Sequence, residues 1–484
     1  MDVLFAATEA VPFIKTDGLG EVVGTLSQEM RRRGINAKVI IPCYSEISSD
    51  YRRKFQLVTS FPVKVGWRRQ TCNILYSEED NLPVYFVDNE YYFQRPGLYG
   101  HYDDGERFAF FCRAVLEGLP RIPFQPRLLH CHDWQTAMIC TLLKTSYQEQ
   151  PFYENIQTLY TVHNMKYQGI FPKEALGELW NLDWNYFTPD KLEFYGQLNC
   201  MKGGLIYADA VNTVSRTYAR DITQPDGGEK LDGVIRGRNS LVPGIRNGID
   251  DRRYNPATDP DLYVNYDWSD WPKKKQNKEG LQEQLGLTMQ GDKPLIALVM
   301  PLAEQKGIGL VAAVLYELLT EDVQLVILGS GEEQYEHVLQ VAAWLYPEKV
   351  ALRTSFDDSL ARRLYAAADL LLMPSLYEPC GLSQLFAMRY GCLPLVRETG
   401  GLKETVEPYN EYTGEGNGFS FAESDPKDML HALRYALHIY HEDKPGWARL
   451  VENAMQQDYS WRSAASKYKA LYSKLTGEGE EACL

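Results

Sequence analysis

The chain has 484 residues, of which 44% are hydrophobic and 24% charged, a composition typical of a globular protein with two or three domains. Its formal net charge of −15 argues against non-specific binding to nucleic acid or to an anionic membrane. No apolar run approaches the roughly 20 residues of a membrane span, and no basic signal segment precedes the first apolar run.

Nine cysteines are scattered along the chain, without C-x-x-C spacing and in odd number. This pattern predicts reduced thiols, and it indicates neither a disulfide framework nor a zinc site. We therefore expect a cytoplasmic protein, or one of the plastid stroma if an upstream transit peptide has been removed.

The first forty residues predict a βαβ unit. Residues 2–8 form a short apolar run that is typical of a buried parallel strand. Apolar residues then recur at helical spacing from Leu19 to Met30, and residues 36–42 form the next apolar run. A strand, a glycine-containing turn, a helix and a second strand in this order are the building block of doubly wound sheets.

Two series of such strands follow along the chain. The predicted strands are residues 127–133, 156–164 and 209–215 in the first series, and 293–300, 323–331, 370–375 and part of 392–401 in the second. The fold class is therefore α/β, with two Rossmann-like domains that face each other across a cleft. We expect domains at residues 1–244 and 245–459, and a last helix within 460–484 that packs back on the first domain. Residues 255–278, rich in Pro, Asp and Lys, predict a linker or surface excursion.

The turn FIKTDGLGEVV at residues 13–23 lacks the G-x-G-x-x-G fingerprint of dinucleotide-binding proteins. Lys15 and the helix that begins near Gly18 offer positive charge to an anion. An ordinary strand-to-helix turn explains the same residues, and Asp17 and Glu21 weigh against simple anion binding. The motif alone leaves both interpretations open.

Histidines stand at the ends of two predicted strands, in HCHDW (130–134) and TVHN (161–164). A metal site is one interpretation, but no cluster of further ligands stands at a known spacing. A structural hydrogen bond is the more common role of a lone histidine. His163, which is followed by Asn164 and a glycine-containing loop, is the better candidate for a polar contact with a substrate.

The segment PSLYEPCGLSQLFAMRYG (374–391) places Glu378 just before a predicted helix. The carboxylate either caps this helix or holds a sugar, while the helix N–H groups bind an attached phosphate. No histidine lies in the same motif as Cys380, so a packing role for this cysteine is favoured over nucleophilic catalysis. Lys306 follows the first strand of the second series and adds a cation at a strand end.

Many segments, in order and over nearly the whole chain, resemble the bacterial glycogen synthases and plant starch synthases, which are retaining glucosyltransferases of the GT-B architecture. The segments are KTDGLGEVV (15–23), ERFAFFCRAVLE (106–117), HCHDWQTA (130–137), TVHNMKYQGIF (161–171), ADAVNTVSRTYARDI (208–222), RNGID (246–250), QKG (305–307), EPCGLSQLFAMRYG (378–391) and LVRETGGLKETV (395–406).

The resemblance implies transfer of glucose from a nucleotide sugar, usually ADP-glucose, to an α-1,4-glucan by same-face attack, without a metal or other cofactor. It implies an acceptor side in the first domain and a donor side in the second, and it names no protein partner. By position, the catalytic residues would be His163, Lys306 and Glu378; the donor-binding residues Lys15, Gly18, Asn247, Lys306, Phe356, Cys380, Gly381 and Leu382; and the acceptor-binding residues Tyr99 and Asp133.

The chain departs from the family pattern at several of these sites. Pro301 stands where the family has an arginine that binds the donor phosphate. Asp17 replaces a glycine, Glu21 replaces an aspartate, and Arg216 stands where proline is common. Residues 229–230 read Glu-Lys where a glycine is usual.

Two hypotheses follow from these departures. The chain is an active glucosyltransferase, with activity reduced at Pro301, or a glucan- or nucleotide-binding relative that acts in priming or through a partner. We favour the first because Lys15, His163, Lys306 and Glu378 are all present. A nicotinamide oxidoreductase, which also uses Rossmann domains, is disfavoured by the missing G-x-G-x-x-G motif.

Overall fold

The computed structural model describes residues 1–238, 242–355 and 357–478. The chain divides into two compact units, the first formed by Met1–Gly248 together with Trp461–Leu484 and the second by Ile249–Ser460. Within the described ranges, no helix combines the length and the apolar character that crossing a membrane requires.

The strands of the first unit form one large sheet and one small antiparallel sheet. They are β1 (Asp2–Ala6), β2 (Asn36–Pro42), β3 (Gln56–Val65), β4 (Arg68–Glu79), β5 (Leu82–Asp88), β6 (Leu128–His132), β7 (Gln157–Val162), β8 (Ile170–Pro172), β9 (Glu193–Phe194), β10 (Gln197–Asn199) and β11 (Ala210–Thr213). The large sheet has the order β11-β7-β6-β1-β2-β5-β4-β3, and the small sheet has the order β8-β10-β9. Strands β3 and β4 run antiparallel and extend the edge beyond β5.

Helices connect the parallel strands of this unit. They are α1 (Gly18–Arg32), α2 (Ser49–Arg52), α3 (Glu90–Phe93), α4 (Asp104–Gly118), α5 (Trp134–Leu142), α6 (Ala175–Glu178), α7 (Cys200–Tyr207), α8 (Arg216–Asp221) and α9 (Asp232–Arg236). Helix α1 shows why they form: its apolar residues Val22, Val23, Leu26 and Met30 recur every three or four positions and are all buried.

The second unit has a fully parallel sheet with helices between its strands. The strands are β12 (Leu295–Val299), β13 (Gln324–Leu328), β14 (Val350–Arg353), β15 (Leu370–Met373), β16 (Leu393–Arg397) and β17 (Phe419–Phe421). The helices are α10 (Lys274–Leu285), α11 (Ile308–Leu318), α12 (Glu333–Leu345), α13 (Asp358–Ala367), α14 (Ser383–Arg389), α15 (Gly400–Thr405), α16 (Pro426–Glu442) and α17 (Lys444–Gln456). The segment predicted as a linker, residues 255–278, is thus already helical from Lys274 onward.

Both units share one strand order. The second sheet runs β14-β13-β12-β15-β16-β17, so the chain moves outward from β12 in one direction and then returns to its other side at β15. The parallel part of the first sheet does the same around β1, with β2 and β5 on one side and β6, β7 and β11 on the other. This is the order of the Rossmann fold. The prediction of two Rossmann-like, doubly wound α/β domains is confirmed.

The last helix, α18 (Trp461–Thr476), packs on the first unit. The indole Nε1 of Trp461 donates a hydrogen bond of 2.7 Å to Thr25 Oγ1 in α1. The hydroxyl of Tyr472 lies 2.8 Å from His130 Nδ1 in β6. Helix α18 therefore supplies partners to polar groups buried beneath it.

Candidate active site

The strand order predicts where each unit holds a ligand. In open α/β sheets, ligands bind outside the carboxyl ends of the strands at the point where the strand order reverses. That point lies between β1 and β6 in the first unit and between β12 and β15 in the second. The loops that leave these four strands carry Lys15, Asp133, Lys306 and Glu378, respectively.

The loop after β1 is held by a buried carboxylate, that of Glu9. This side chain is 2% exposed and accepts hydrogen bonds from the backbone N–H of Thr16, from Thr16 Oγ1 at 2.9 Å and from the hydroxyl of Tyr99. Burial raises the pKa of Glu9 above its ordinary value. Tyr99, a predicted acceptor-binding residue, thus fixes the loop that carries Lys15 through its contact with Glu9.

Lys15 forms an ion pair within the same turn. Its Nζ lies 3.3 Å from Oε2 of Glu21, which is 3% exposed. Gly18 is the first residue of α1, and the side chain of Asp17 does not cap that helix. Glu21 therefore offsets the charge of Lys15 within the turn.

Asp133 joins the ends of β6 and β7 in a strained conformation. Its backbone has φ 57° and ψ −179°, a region that almost only glycine occupies. Its Oδ1 accepts the backbone N–H of His163 at 2.7 Å and that of Asn164 at 3.4 Å. Burial raises the pKa of Asp133 to about 7 despite these hydrogen bonds. The side chain thus fixes the backbone next to His163, a predicted catalytic residue.

We expect the Asp133→Asn variant to gain stability relative to the parent protein as the pH rises. Because the pKa of Asp133 is raised to about 7 in the folded state, ionisation destabilises the fold progressively from about pH 4 to pH 7, and asparagine does not ionise. The difference in unfolding free energy should grow by about 1–3 kcal/mol between pH 5 and pH 8. Urea unfolding of both proteins at the two pH values measures it.

The exposed Asp50, which pairs with Arg53, provides the control substitution, Asp50→Asn. The control should show no such pH dependence beyond a few tenths of a kcal/mol. Equal differences at pH 5 and pH 8 for Asp133→Asn would contradict the shifted pKa.

His163 contacts a second histidine, His132. Its Nε2 lies 2.9 Å from Nδ1 of His132, and burial lowers the pKa of His163 to about 3. His130, on the same strand as His132, contacts Tyr472 and Thr161. Over residues 1–238, 242–355 and 357–478, no group of three or more His, Cys, Asp or Glu residues is arranged to hold a metal ion.

Asn247 lies next to the last residue of the first stretch of the first unit, and its side-chain oxygen is a hydrogen-bond acceptor without a donor in the described part of the chain. The residue is 4% exposed, and its Oδ1 has no hydrogen-bond partner within the part of the chain that the structure describes. A buried polar atom without a partner is costly and needs an explanation, and a functional role at the site is one such explanation. This observation fits the predicted donor contact.

Lys306 and Glu378 form a partly buried ion pair in the second unit. Lys306 Nζ lies 2.8 Å from Glu378 Oε2, and the side chains are 14% and 9% exposed. Ser375 Oγ lies 3.3 Å from the same carboxylate oxygen. Glu378 does not cap α14, whose N-cap residue is Leu382 without a capping side chain. The capping interpretation is therefore wrong, and the carboxylate is positioned by Lys306.

Glycines allow the loops around this pair to touch. Gly307 has φ 73°, and a Cβ placed there would lie 1.9 Å from the carbonyl oxygen of Pro374. A Cβ on Gly400 would lie 2.1 Å from the carbonyl oxygen of Glu378. Gly401 N–H donates to that same carbonyl at 3.0 Å. These contacts fix the backbone on both sides of the ion pair.

The three predicted phosphate-binding residues, Cys380, Gly381 and Leu382, form the turn between Glu378 and α14. Cys380 is 5% exposed, and Gly381 has φ 72°. Gln384 Nε2 donates to the carbonyls of Cys380 and Gly381, at 3.0 and 3.1 Å. The turn is therefore built on backbone groups, with the cysteine packed inside.

The positions that depart from the family pattern differ in exposure and in backbone conformation. Pro301 is exposed, and its carbonyl accepts the N–H of Ala303 at 2.9 Å. Glu229 and Lys230 adopt φ 47° and 66°, left-handed conformations that explain why a glycine is usual there. Phe356, predicted to pack on the adenine, lies outside the described residues.

Three residues of these sites were not named as site residues by the sequence prediction. Glu9 follows β1 by three positions, and Ser375 follows β15 by two. His132 was considered only as one of the histidines that could bind a metal or form a structural hydrogen bond. Polar residues just after parallel strands are the one local signal that points to them.

Comparison with known proteins identifies the class of protein first. Residues 283–457 match the family model for glycosyl transferases group 1, and residues 2–237 match the starch synthase catalytic domain. With two Rossmann-like units, this defines a glycosyltransferase of the GT-B class.

Full-length relatives narrow the class to a family. The chain is 50% identical to the glycogen synthase of Desulforamulus reducens over 480 residues, which cover 99% of this chain and 100% of that protein. It is also 50% identical to the glycogen synthase of Geobacillus stearothermophilus, with 99% of each chain covered. The catalytic domain of starch synthase IV from Arabidopsis thaliana, solved with ADP and acarbose, superimposes with a TM-score of 0.93 at 34% identity, covering 98% of this chain and 99% of that one.

The chain belongs to the glycogen and starch synthase family, and its activity is glucosyl transfer. The comparisons favour this activity over that of a relative that only binds glucan or nucleotide. A sucrose-phosphate synthase from Thermosynechococcus elongatus shares the fold, with a TM-score of 0.63 at 17% identity.

Proposed function

We propose that the chain transfers glucose from ADP-glucose to the non-reducing end of an α-1,4-glucan, with retention of configuration. The observation that carries the proposal is the partly buried ion pair of Lys306 and Glu378 at the switch point of the second sheet. The names of the relatives support the glucan product, and the ADP and acarbose in the starch synthase IV structure support the substrate classes.

In this proposal, Lys306 binds the diphosphate of the donor. It stands directly before Gly307 and the 11-residue helix α11, whose first N–H groups add positive potential at the same loop. Cations and amides in fixed positions stabilise the charge that develops on a departing diphosphate. No metal or other cofactor is needed for this stabilisation, and we propose that none is used.

Glu378 holds hydroxyl groups of the transferred glucose, and the amides of Cys380, Gly381 and Leu382 bind its phosphate. His163 and Asn247 contact the same glucose, and Lys15 and Gly18 bind near the diphosphate. Tyr99 and Asp133 contact the acceptor. The buried, unpaired Oδ1 of Asn247 supports its place in this set.

The reaction breaks the bond between the anomeric carbon and the diphosphate oxygen. The acceptor hydroxyl bonds to that carbon on the same face, and its proton passes to the departing diphosphate. Configuration is retained through a short-lived oxocarbenium-like species, and Glu378 is not a nucleophile in this scheme.

Incorporation of radiolabelled glucose from ADP-glucose into glycogen or maltooligosaccharide tests the function. We expect α-1,4-linked product that is sensitive to α-amylase, and activity that survives added EDTA. UDP-glucose serves as the competing donor. Incorporation no higher than that of Glu378→Ala would overturn the proposal.

We propose further that Pro301 lowers the rate, because it replaces a charge-assisted hydrogen bond to phosphate worth about 1.5–3 kcal/mol. Pro301→Arg should therefore raise kcat/KM for ADP-glucose by roughly 10- to 100-fold. Steady-state kinetics measure the change, with Pro301→Ala as the control for altered backbone freedom. An arginine variant no faster than the alanine variant would show that the missing cation is not limiting.

We also propose a cytoplasmic location. Bacterial relatives support it, as do the buried cysteines at positions 43, 72, 112, 131, 140, 200, 380 and 392, which form no disulfide in the part of the chain that the structure describes.

A further inference from the structure

The feature that the proposed reaction does not yet use is His132, a histidine with no exposed surface at the end of β6. Strand register sets its partner: His132 pairs with Thr161 of β7, and His163 follows two positions later on the same face. The nitrogen atoms His132 Nδ1 and His163 Nε2 are 2.9 Å apart.

The surroundings of His132 hold its ring in place. The ring of His130 lies 4.1 Å away between centroids, and that of Phe5 lies 5.8 Å away and nearly parallel, at 15°. Among the residues that the structure describes, the side chain of His132 therefore has one hydrogen-bonding contact, to His163, and ring contacts with Phe5, His130 and His163.

The second nitrogen of His132 decides the direction of this hydrogen bond. Its Nε2 is buried and has no hydrogen-bond partner among the residues that the structure describes. A proton on Nε2 would be a buried N–H without an acceptor, which proteins avoid more strongly than an unused lone pair. The proton of His132 therefore belongs on Nδ1, which donates to Nε2 of His163.

This direction fixes the tautomer of His163. Burial lowers the pKa of both rings, to about 3 for His163, so each ring is neutral and carries one proton. Since Nε2 of His163 accepts a hydrogen bond, its own proton lies on Nδ1. In the described part of the chain, no hydrogen bond to that Nδ1 is formed, which leaves it available as a donor.

We propose that His132 is a positioning residue that holds His163 in the Nδ1-protonated tautomer, so that His163 donates a hydrogen bond to a hydroxyl of the transferred glucose. The proposal rests on the proposed function for the identity of the sugar. The direction of the hydrogen bond between the two rings is independent of that function.

Nitrogen NMR of protein labelled with ¹⁵N-histidine tests the hydrogen-bond direction in the parent enzyme. We expect His163 to show a protonated Nδ1 and an unprotonated Nε2 at pH 7.5, assigned by comparison with His163→Gln. The reverse tautomer would overturn the proposal, whether or not glucose transfer is observed. If transfer is absent but the tautomer is as expected, the proposed function fails and the role of His132 towards His163 stands.

Kinetics of two His132 variants provide the second test. His132→Asn places an amide N–H where Nδ1 stands, so we expect kcat to stay within about threefold of the parent. His132→Leu removes the donor, and we expect kcat to fall by roughly 10- to 100-fold and the tautomers of His163 to mix. Equal activity of the leucine variant and the parent would overturn the proposal.

His130→Leu is the matched control for a structural effect. His130 is equally buried on the same face of the same strand, but it contacts Tyr472 and Thr161 instead of His163. We expect this control to lower stability without changing the tautomer of His163. A change in that tautomer as large as in His132→Leu would contradict a specific role for His132.

Discussion

The Lys306→Met variant is expected to lose glucosyl transfer almost completely, with kcat/KM for ADP-glucose falling by roughly 10²- to 10³-fold. Methionine keeps most of the length of the side chain but removes the cation that lies 2.8 Å from Glu378. Because negative charge grows on the departing diphosphate, we expect kcat to fall in addition to any rise in KM. Steady-state kinetics with ADP-glucose and glycogen measure both quantities.

Loss of stability is the competing explanation for this result. Removing Lys306 leaves the carboxylate of Glu378, whose side chain is 9% exposed, without its ion pair, at a cost of about 3–5 kcal/mol. The double variant Lys306→Met/Glu378→Gln removes both charges and should regain much of that stability. If the double variant also regains activity, the role of Lys306 is structural.

Lys403→Met provides a matched control in the same unit. Lys403 Nζ lies 3.1 Å from Glu398 Oε2, so this substitution also breaks a lysine–glutamate pair, but the lysine side chain is 59% exposed. We expect activity within about threefold of the parent. A control as inactive as Lys306→Met would mean that general electrostatics, and not one positioned cation, accounts for the loss.

The Glu378→Gln variant is expected to lose roughly 10²-fold or more in kcat/KM. Glutamine matches the shape of glutamate, so the change isolates the negative charge that pairs with Lys306 and that, in the proposed reaction, accepts hydrogen bonds from the sugar. Hydrogen bonds to a charged acceptor contribute about 1.5–3 kcal/mol, and the glutamine retains part of this. Glu378→Ala should therefore be less active than Glu378→Gln.

A double-mutant cycle tests whether Glu378 and Lys306 act together. If they form one functional unit, Lys306→Met/Glu378→Gln should be about as active as the weaker single variant. Glu321→Gln, which alters a glutamate paired with Arg434 at the surface, should retain parental activity. Fully additive losses in the cycle would indicate that the two residues contribute independently.

Much of the fold was predictable because its signals are local. The predicted strand at residues 36–42 agrees with β2, Asn36–Pro42, and the last helix predicted within residues 460–484 is α18, Trp461–Thr476. Short apolar runs between helical repeats allow few other interpretations. The antiparallel pair of β3 and β4 was not predicted. Most of its residues are exposed or partly exposed, so the apolar signal of these two strands in the sequence is weak.

Individual residues of the candidate site were predictable from their motifs, but the contacts between residues of different motifs were not. Lys306 and Glu378 were both named from their own motifs, yet their contact arises because β12 and β15 are neighbours in the sheet. Sequence spacing does not show that adjacency. Glu9 was missed because a single glutamate after an apolar strand reads as a solvated residue until the positions of Thr16 and Tyr99 are known.

The place of α18 in the first unit has a consequence for biosynthesis. Until Trp461–Thr476 leaves the ribosome, Thr25 and His130 lack the partners that this helix supplies, although their own strands and helices were made early. At 5–20 residues per second, translation of residues 249–460 takes on the order of tens of seconds. The second unit, whose sequence is continuous, can therefore finish folding first. During that time the amino-terminal sheet still lacks the hydrogen-bond partners that α18 supplies to Thr25 and His130.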